Sequence, residues 1–388
     1  MPRKTPESAT ICVSSQIGND PAFGAVTPPL YLSSTYKFAG LDQMGQYDYG
    51  RSGNPNRDAL ATVVAQMEGG AGAAVTSSGM AAIDLALNLV PRNGLVVAPH
   101  DCYGGTYRLL EARQKQGRFQ VEFINQTSER AVERALDEKP ALVLIETPSN
   151  PLMRVVDVAG LSKAAHHVGA IVVCDNTFLS PARQLPLALG ADIVVHSSTK
   201  YINGHSDVVG GIVVAKDEAV LETLTWWANC TGVTGAPFDS FLTLRGLRTL
   251  HARMDVQEAN AIKIAEFLHA HPQVSKVYYP GLASDPGYAL AQRQQSGPGA
   301  MLSFELAGSR EDVGKFLSDT HVFQLAESLG GTESLICHPA SMTHRAMTPE
   351  ARATAGIGET LIRLSVGLES SSDQLAELKV LFTPISKT

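Results

Sequence analysis

A lysine and an aspartate that follow two apolar stretches are the residues best placed to do chemistry in this chain. Lys200 closes the polar run 197–200 after the stretch 191–195, and Asp175 follows the stretch 171–174. If both stretches are parallel strands, the amine and the carboxylate lie at the sheet edge where open α/β sheets bind ligands. An acid that keeps a pyridine nitrogen protonated and a lysine that can form a Schiff base are the pair expected around pyridoxal 5'-phosphate (PLP). A solvated lysine and a turn aspartate are the alternative for either residue alone.

A run of small residues, 76–82, closes one predicted strand and opens a predicted helix. Small side chains let backbone N–H groups approach an anion, and the start of a helix adds a favourable dipole. The run lacks the Gly-Lys-Ser/Thr ending of a P-loop, and Gly70-Ala71-Gly72 is not followed by a third glycine at dinucleotide-binding spacing. The run therefore predicts a phosphate site, with simple close packing as the alternative.

Three further side chains could contact a cofactor or a substrate. Tyr103 follows the stretch 95–98 and could stack on a flat ring, or it could anchor a turn. Asn150 lies in a proline-rich loop, which could aim its amide at a substrate or could be only a loop. Arg363 lies inside the apolar stretch 361–366 and needs an anion, which could be a substrate carboxylate or a protein carboxylate. No single feature decides, but together they fit one cofactor.

The elements that would position these residues are repeated apolar runs within residues 72–215, each followed by a helix-like stretch. This alternation is typical of a mainly parallel sheet covered by helices on both faces. Seven runs are expected to be strands: Ala73–Val75, Leu95–Ala98, Val121–Ile124, Leu142–Ile145, Ile171–Cys174, Ile193–Val195 and Ile212–Ala215. The fold class expected is α/β, with a seven-stranded sheet that brings Asp175 and Lys200 to one edge.

Composition divides the chain into three predicted regions. Residues 1–60 are rich in Pro, Gly, Ser and Tyr, so we expect an extended N-terminal arm that contacts a neighbouring subunit. Residues 61–256 form the predicted PLP-binding domain. Residues 257–388 form a predicted smaller α/β C-terminal domain, in which strands at 301–306 and 361–366 alternate with helices at 310–318 and 372–381. A long helical pattern runs from about 236 to 271.

Charge and cysteine usage exclude several classes of function. The net charge is −7, and the longest cationic run is Arg3-Lys4, which argues against nucleic acid or an anionic membrane as a partner. We expect a cytoplasmic protein because no apolar stretch approaches a membrane span and the first residues lack the apolar core of a secretory signal. The five cysteines are scattered, which favours reduced thiols. No CxxC or HExxH spacing occurs, so no metal is expected.

The chain resembles the Cys/Met-metabolism family of fold-type I PLP-dependent enzymes from end to end. The motifs that carry the resemblance are Pro28-Pro29, Tyr49-Gly50-Arg51, Ser78-Gly79-Met80, Asp101-Cys102-Tyr103-Gly104-Gly105, Asp175-Asn176-Thr177-Phe178, Thr199-Lys200-Tyr201, Gly204-His205-Ser206-Asp207 and Arg363-Leu364-Ser365. The resemblance implies PLP as the cofactor and a fold-type I PLP transferase-like architecture.

The resemblance also implies roles for the cofactor site. Lys200 would be the Schiff-base lysine and proton shuttle, Asp175 the partner of the pyridine nitrogen, and Tyr103 the stacking aromatic. The residues that would hold the phosphate are Gly79, Met80, Ser197 and Thr199. Tyr49 and Arg51 would reach the phosphate of the neighbouring subunit, so the active unit would be a dimer with shared active sites, doubled into a homotetramer as a dimer of dimers.

Roles at the substrate are implied in the same way. Asn150 and Arg363 would hold the α-carboxylate of an amino-acid substrate. Glu327, beside Ser328, matches a position where members that act at the γ-carbon carry an acid near the distal part of the substrate. Arg108 is a candidate for binding a distal carboxylate.

Within the family, the similarity is greatest to members that replace a group at the γ-carbon. Four segments carry it: Ala98–Tyr103, Trp226–Asn229, Gly232–Gly235 and Leu325–Gly331. The implied reaction, part of methionine biosynthesis by transsulfuration, converts an O-acyl-L-homoserine, expected to be the O-succinyl ester, and L-cysteine to L-cystathionine. Members that cleave cystathionine at the γ-carbon, or that use sulfide, are the alternatives.

Two positions depart from the family pattern. Asn56 replaces the threonine usual after Asn54-Pro55, so any hydrogen bond made by that threonine must be made differently. Ser52 stands where some members have a second arginine after Arg51. If that arginine helps to bind a succinyl group, the acyl preference of this chain is open.

Overall fold

Two β-sheets with helices packed around them make up the computed structural model, which describes residues 6–383. The strands of the larger sheet are β1 (Gly72–Thr76), β2 (Leu95–Pro99), β3 (Gln120–Ile124), β4 (Leu142–Glu146), β5 (Ile171–Asp175), β6 (Ile193–His196) and β7 (Gly211–Ala215). They are arranged in the order β1-β7-β6-β5-β4-β2-β3. Strand β7 runs antiparallel to both of its neighbours, and the other pairs are parallel. The prediction of a mainly parallel seven-stranded sheet is confirmed.

A smaller sheet follows in the C-terminal part. Its strands are β8 (Val274–Tyr278), β9 (Met301–Leu306), β10 (Gln324–Leu325), β11 (Leu335–Cys337) and β12 (Leu361–Ser365), in the order β10-β11-β12-β9-β8. Only the β10–β11 pair is parallel. The two strands predicted from the sequence, β9 and β12, are neighbours in this sheet.

Helices cover both sheets. They are α1 (Ser8–Ser14), α2 (Pro55–Glu68), α3 (Gly79–Leu87), α4 (Gly104–Lys115), α5 (Glu129–Asp137), α6 (Val158–His167), α7 (Ser180–Arg183), α8 (Glu218–Thr231), α9 (Pro237–Leu247), α10 (Leu250–His269), α11 (Tyr288–Gln294), α12 (Arg310–Leu317), α13 (Pro349–Ala355) and α14 (Ser371–Leu381). The long helical pattern predicted near 236–271 is thus two helices, interrupted at residues 248–249.

The centre of the large sheet is buried because its strands are apolar on both faces, whereas the edge strand β3 is partly exposed. Strands β4, β6 and β7 are buried at every position. One apolar cluster lies on each face of the sheet's centre, with alternate residues of β6 packing into opposite clusters. A rigid, fully covered sheet fixes the positions of the residues at its strand ends.

Residues 6–54 form an N-terminal segment that is irregular except for α1, a helix that the sequence pattern did not predict, and α2 begins within the predicted arm at Pro55. Cys12 of α1 is buried and donates to the carbonyl oxygen of Leu247. Asn56, the residue that departs from the family pattern, accepts from the N–H of Tyr31 at 2.7 Å and donates to the carbonyl oxygen of Pro29 at 2.8 Å. The predicted boundary at 256/257 falls inside α10, and the three-region division stays a prediction.

Within residues 6–383, no helix has the length and apolar character to cross a membrane. The same residues contain no cluster of three or more His, Cys, Asp and Glu side chains that could hold a metal ion.

Candidate active site

A cavity of about 390 Å³ lies at the carboxyl ends of the central strands, closed on one side by residues of the smaller sheet and its loops. Most of the residues predicted for the site line it: Gly79, Met80, Tyr103, Asn150, Asp175, Ser197, Thr199, Lys200, Glu327, Ser328 and Arg363. The fold thus brings together residues that are up to 284 positions apart along the chain.

The predicted phosphate site is the start of α3. Ser78 caps the helix through a hydrogen bond from the N–H of Ala81 to its side chain. The first N–H groups of a helix have no partner within the helix, so those of Gly79 and Met80 are available to an anion. A side chain at position 79 would come within 2.6 Å of the Cβ of Ser197, so only glycine lets the helix approach the loop after β6 so closely.

Asp175 ends β5 and is tied to that same loop. One carboxylate oxygen accepts from the N–H of Thr177 at 2.9 Å, and the hydroxyl of Thr177 accepts from the N–H of Ser197 at 2.9 Å. The pKa of Asp175 is raised because burial penalises its charged form, while the hydrogen bonds from Thr177 oppose the shift. A cationic ring nitrogen beside it would favour the carboxylate form.

Lys200 lies in the turn after β6, with its amine inside the cavity. The amine donates to the hydroxyl of Ser328 at 2.6 Å. Burial, with a smaller effect of the Arg363 charge, lowers the pKa of Lys200 to about 8, although the carboxylate of Glu327 opposes the shift. A substantial fraction of the amine is therefore neutral near pH 8, and only the neutral amine is a nucleophile or a base.

Arg363, on β12, is buried with 3% of its surface exposed. Its guanidinium donates to the side-chain oxygen of Asn150 at 2.9 Å and to the backbone oxygen of Ser328 at 2.8 Å. Its Nε is buried without a hydrogen-bond partner among residues 6–383. The sequence left open whether a protein carboxylate or a substrate carboxylate meets this charge. Because both partners are neutral oxygens, the arrangement favours a substrate anion.

Tyr103 precedes α4, and 41% of its surface is exposed. Its backbone N–H donates at 2.8 Å to Glu146, a residue of the cavity wall that the sequence reasoning missed. Glu146 ends β4 after an apolar run just as Asp175 ends β5, and the two residues are paired in register. The same strand-end pattern could therefore have identified it.

Three of the predicted site residues, Tyr49, Arg51 and Arg108, do not line the cavity of the chain to which they belong. Tyr49 and Arg51 are exposed in the N-terminal segment, and the guanidinium of Arg51 bonds to the side chain of Asn229 at 3.1 Å. Arg108 is exposed on α4. Thr199 lines the cavity, but its hydroxyl already exchanges hydrogen bonds with the backbone of Gly210.

The cavity fits the chemical groups of PLP. Its polar groups comprise an amine of lowered pKa for an aldehyde, a carboxylate for a ring nitrogen, free N–H groups for a phosphate and a guanidinium for a substrate carboxylate. PLP and an amino-acid substrate bound to it require protein groups of these four kinds. The exposed ring of Tyr103 adds an aromatic face at the cavity wall.

Known proteins are similar over nearly the whole chain. The family model described as Cys/Met metabolism PLP-dependent enzyme matches residues 9–383. The cystathionine gamma-synthase of Escherichia coli (strain K12) is 54% identical over 384 residues, which cover 99% of this chain and 100% of that protein. The cystathionine gamma-lyase of Bacillus subtilis (strain 168) is 43% identical and covers 95% of this chain and 97% of its own length.

A solved structure matches in three dimensions as well. The cystathionine gamma synthase of Xanthomonas oryzae pv. oryzae, in complex with aminoacrylate and cysteine, has a TM-score of 0.97 and 56% identity, with 98% of each chain covered. The family match and the match to this fold agree, and the cavity of this chain fits the cofactor of the family. This chain belongs to the Cys/Met metabolism family of PLP-dependent enzymes.

Proposed function

We propose that this enzyme catalyses γ-replacement, joining an O-acyl-L-homoserine and L-cysteine to form L-cystathionine, with the O-succinyl ester as the donor. The observation that carries the proposal is one cavity that holds Lys200, Asp175 and Arg363, with the acid Glu327 exposed where the cavity meets solvent. The 54% and 56% identities to two cystathionine gamma-synthases support it.

The chain's own residues perform binding and proton transfer. Arg363 and Asn150 would hold the substrate α-carboxylate, which orients the Cα–H bond toward the amine of Lys200. Lys200 in its neutral form accepts the Cα proton, and its contact with Ser328 keeps the amine in place. Asp175 would hold a proton on the ring nitrogen. Bound PLP supplies an electron-poor ring that stabilises negative charge at Cα.

The remaining bond changes occur at the β- and γ-carbons. Lys200 first removes a proton from Cβ, and the electron pair of that C–H bond moves to the Cβ–Cγ bond as the Cγ–O bond breaks. The acyl group leaves with the Cγ–O electron pair as a carboxylate, succinate for the preferred donor. The thiolate of L-cysteine then forms a Cγ–S bond. Lys200 can deliver and accept the protons at neighbouring carbons, because its lowered pKa of about 8 lets it exchange protons near neutral pH. Glu327 and Arg108 are the proposed contacts for the distal part of the substrates.

We infer that two chains form each active unit, and that two such dimers form a tetramer. Large apolar side chains are exposed in the N-terminal segment, including Phe23 at 93% and Leu41 at 92%. A second copy of the chain is the partner that would cover them, and it would bring Tyr49 and Arg51 to the neighbouring phosphate site. Size-exclusion chromatography with light scattering should give four chains. A monomer that is fully active would contradict shared sites.

A cytoplasmic location is proposed from the cysteines. All five are free, and four of them are buried. Free thiols persist in reducing compartments.

Steady-state assays test the reaction. O-succinyl-L-homoserine with L-cysteine is compared with cystathionine alone, and with the same donor plus sulfide; O-acetyl-L-homoserine tests the acyl preference. We expect the highest kcat/KM for the succinyl donor with cysteine, and equal amounts of succinate and cystathionine as products. Faster cleavage of cystathionine than its synthesis would contradict the proposal and would favour a γ-lyase, and faster turnover with sulfide would favour a sulfhydrylase.

A further inference from the structure

Glu146 is a buried carboxylate that no role described so far uses. It ends β4, and only 7% of its surface is exposed. Its neighbour in register is Asp175, so two acids lie side by side at the floor of the cavity. Burial raises the pKa of Glu146, and the charge of Asp175 raises it further. Burying a charged carboxylate here costs free energy unless hydrogen bonds compensate for it, so the partners of Glu146 indicate what holds it in place.

Each oxygen of Glu146 accepts a hydrogen bond from the backbone of a different site residue. Oε2 accepts from the N–H of Tyr103 at 2.8 Å, and Oε1 accepts from the N–H of Asn150 at 2.9 Å. These two residues belong to separate loops, 43 and four positions away from Glu146 along the chain. One carboxylate thus connects the loop before α4 to the proline-rich loop after β4.

The two loops carry different parts of the site. Tyr103 is the proposed stacking residue for the cofactor ring. Asn150 is bonded to Arg363, and the two are the proposed clamp for the substrate α-carboxylate. The hydrogen bonds of Glu146 therefore fix in part the distance between Tyr103 and this clamp, and with it the distance at which a bound cofactor ring would lie from the clamp.

We propose that Glu146 is a positioning residue that fixes Tyr103 and Asn150 relative to each other, and thereby aligns the substrate α-carboxylate with the cofactor ring. The inference rests on the proposed roles of Tyr103 and Asn150. It does not depend on which γ-substituent the enzyme exchanges. Only a group with two acceptor oxygens can bond to both N–H groups, because a glutamine amide at the same position has one acceptor and one donor.

The first test is Glu146→Gln, which keeps the size of the side chain. Hydrogen bonds to charged groups are worth enough that losing one should weaken binding about tenfold or more. We expect this loss in the affinity of the apoprotein for PLP, in the affinity of the holoenzyme for L-2-aminobutyrate, or in both. L-2-aminobutyrate is a suitable probe because it has an α-carboxylate but no γ-leaving group. Both affinities can be measured from the visible absorbance of the cofactor.

Two controls separate positioning from a general effect. Glu122→Gln makes the same change on β3 of the same sheet, at an acid paired with Arg134 away from the cavity, and should leave both affinities unchanged. The second control is a ligand: n-propylamine is 2-aminobutyrate without its carboxylate. If Glu146 acts through the carboxylate clamp, Glu146→Gln should weaken binding of the amino acid more than binding of the amine.

Double variants show which residue carries the effect. The loss of 2-aminobutyrate affinity caused by Glu146→Gln should disappear in an Asn150→Ala background, and the loss of PLP affinity should disappear in a Tyr103→Ala background. Should Glu146→Gln not fold, Glu146→Asp keeps the charge but is one methylene too short to reach both N–H groups, and the same losses are expected.

Three outcomes would overturn the proposal. One is a Glu146→Gln protein whose two affinities stay within twofold of the wild type. Another is a lowered unfolding temperature with unchanged affinities of the folded protein, which would assign Glu146 a structural role alone. The third is full additivity in both double variants. Because neither probe reacts at a γ-carbon, these outcomes are independent of the assay for cystathionine synthesis.

Discussion

The carboxyl-end edge of the large sheet and the N-terminal segment 15–54 present their functional side chains in opposite ways. At the sheet edge, Asp175, Asn150 and Arg363 are held by hydrogen bonds within the chain, in a cavity between two sheets. In the segment, Tyr49 and Arg51 are exposed, and long apolar side chains are in contact with solvent. The side chains at the edge therefore already have partners within one chain, whereas the exposed apolar side chains of the segment do not.

This difference separates two requirements of the enzyme. The groups proposed to act on the reacting carbons come from strand ends and the loops beside them, which a single folded chain fixes. The groups proposed to complete the phosphate site come from a segment whose apolar surface needs a second copy of the chain. Loss of assembly should accordingly remove the contribution of Tyr49 and Arg51 to the phosphate site and leave the residues at the strand ends in place.

The largest effect is expected at Lys200. Lys200→Ala removes the only amine in the cavity lining of the described chain, so turnover should fall by at least about 10⁴-fold. Steady-state kinetics measure the loss. Lys216→Ala, an exposed lysine that follows β7, is the matched control and should retain wild-type turnover. If Lys200→Ala retained its turnover, the reaction would not take place at this edge of the large sheet.

The next effect tests whether Arg51 acts on the neighbouring subunit. Arg51→Ala and Lys200→Ala should each be nearly inactive alone. When the two proteins are refolded together, half of the dimers are mixed, and each mixed dimer has one site with both residues intact, so about a quarter of the wild-type activity should return.

This complementation depends on the segment crossing between chains. If Arg51 served its own chain, no mixed dimer would contain an intact site, and activity would not return. Each variant refolded by itself is the control for residual activity.

The smallest effect concerns the pKa of Lys200, which burial lowers to about 8. Because a neutral amine is needed, the rate of PLP incorporation into the apoprotein should rise with pH and level off above about 8. The charge of Arg363 lowers this pKa, so Arg363→Ala should move the midpoint to higher pH. Glu327→Gln removes a carboxylate that raises the pKa and should move the midpoint to lower pH. Stopped-flow absorbance measures both, and shifts of the same sign in the two variants would contradict this electrostatic account.

The large sheet could be predicted from the sequence because most of its strands are continuous apolar runs and the edge strand β3 still carries three apolar residues. Each predicted strand differs from the observed one by at most two residues in total. The smaller sheet was harder to predict. Strands β10 and β11 have only two and three residues, and β8 is interrupted by polar residues and is partly exposed, so their apolar runs are short or interrupted. The break between α9 and α10 contains neither glycine nor proline at residues 248–249, so no local signal marked it.

The site was predictable where a polar residue directly follows an apolar run, as Asp175 does. Contacts between distant segments were not. The bond from Lys200 to Ser328 joins residues 128 positions apart, and the one from Arg363 to Asn150 joins residues 213 apart. Glu146 has the same strand-end signal as Asp175, but its role depends on two backbone N–H groups whose positions only the folded chain reveals.

Locating the covalently bound cofactor tests the central claim most directly. The purified protein is saturated with PLP, reduced with borohydride and digested, and the labelled peptide is sequenced by mass spectrometry. We expect one PLP group per chain, attached to the amine of Lys200. A label on another lysine, or no label on a protein that still makes cystathionine, would contradict the account.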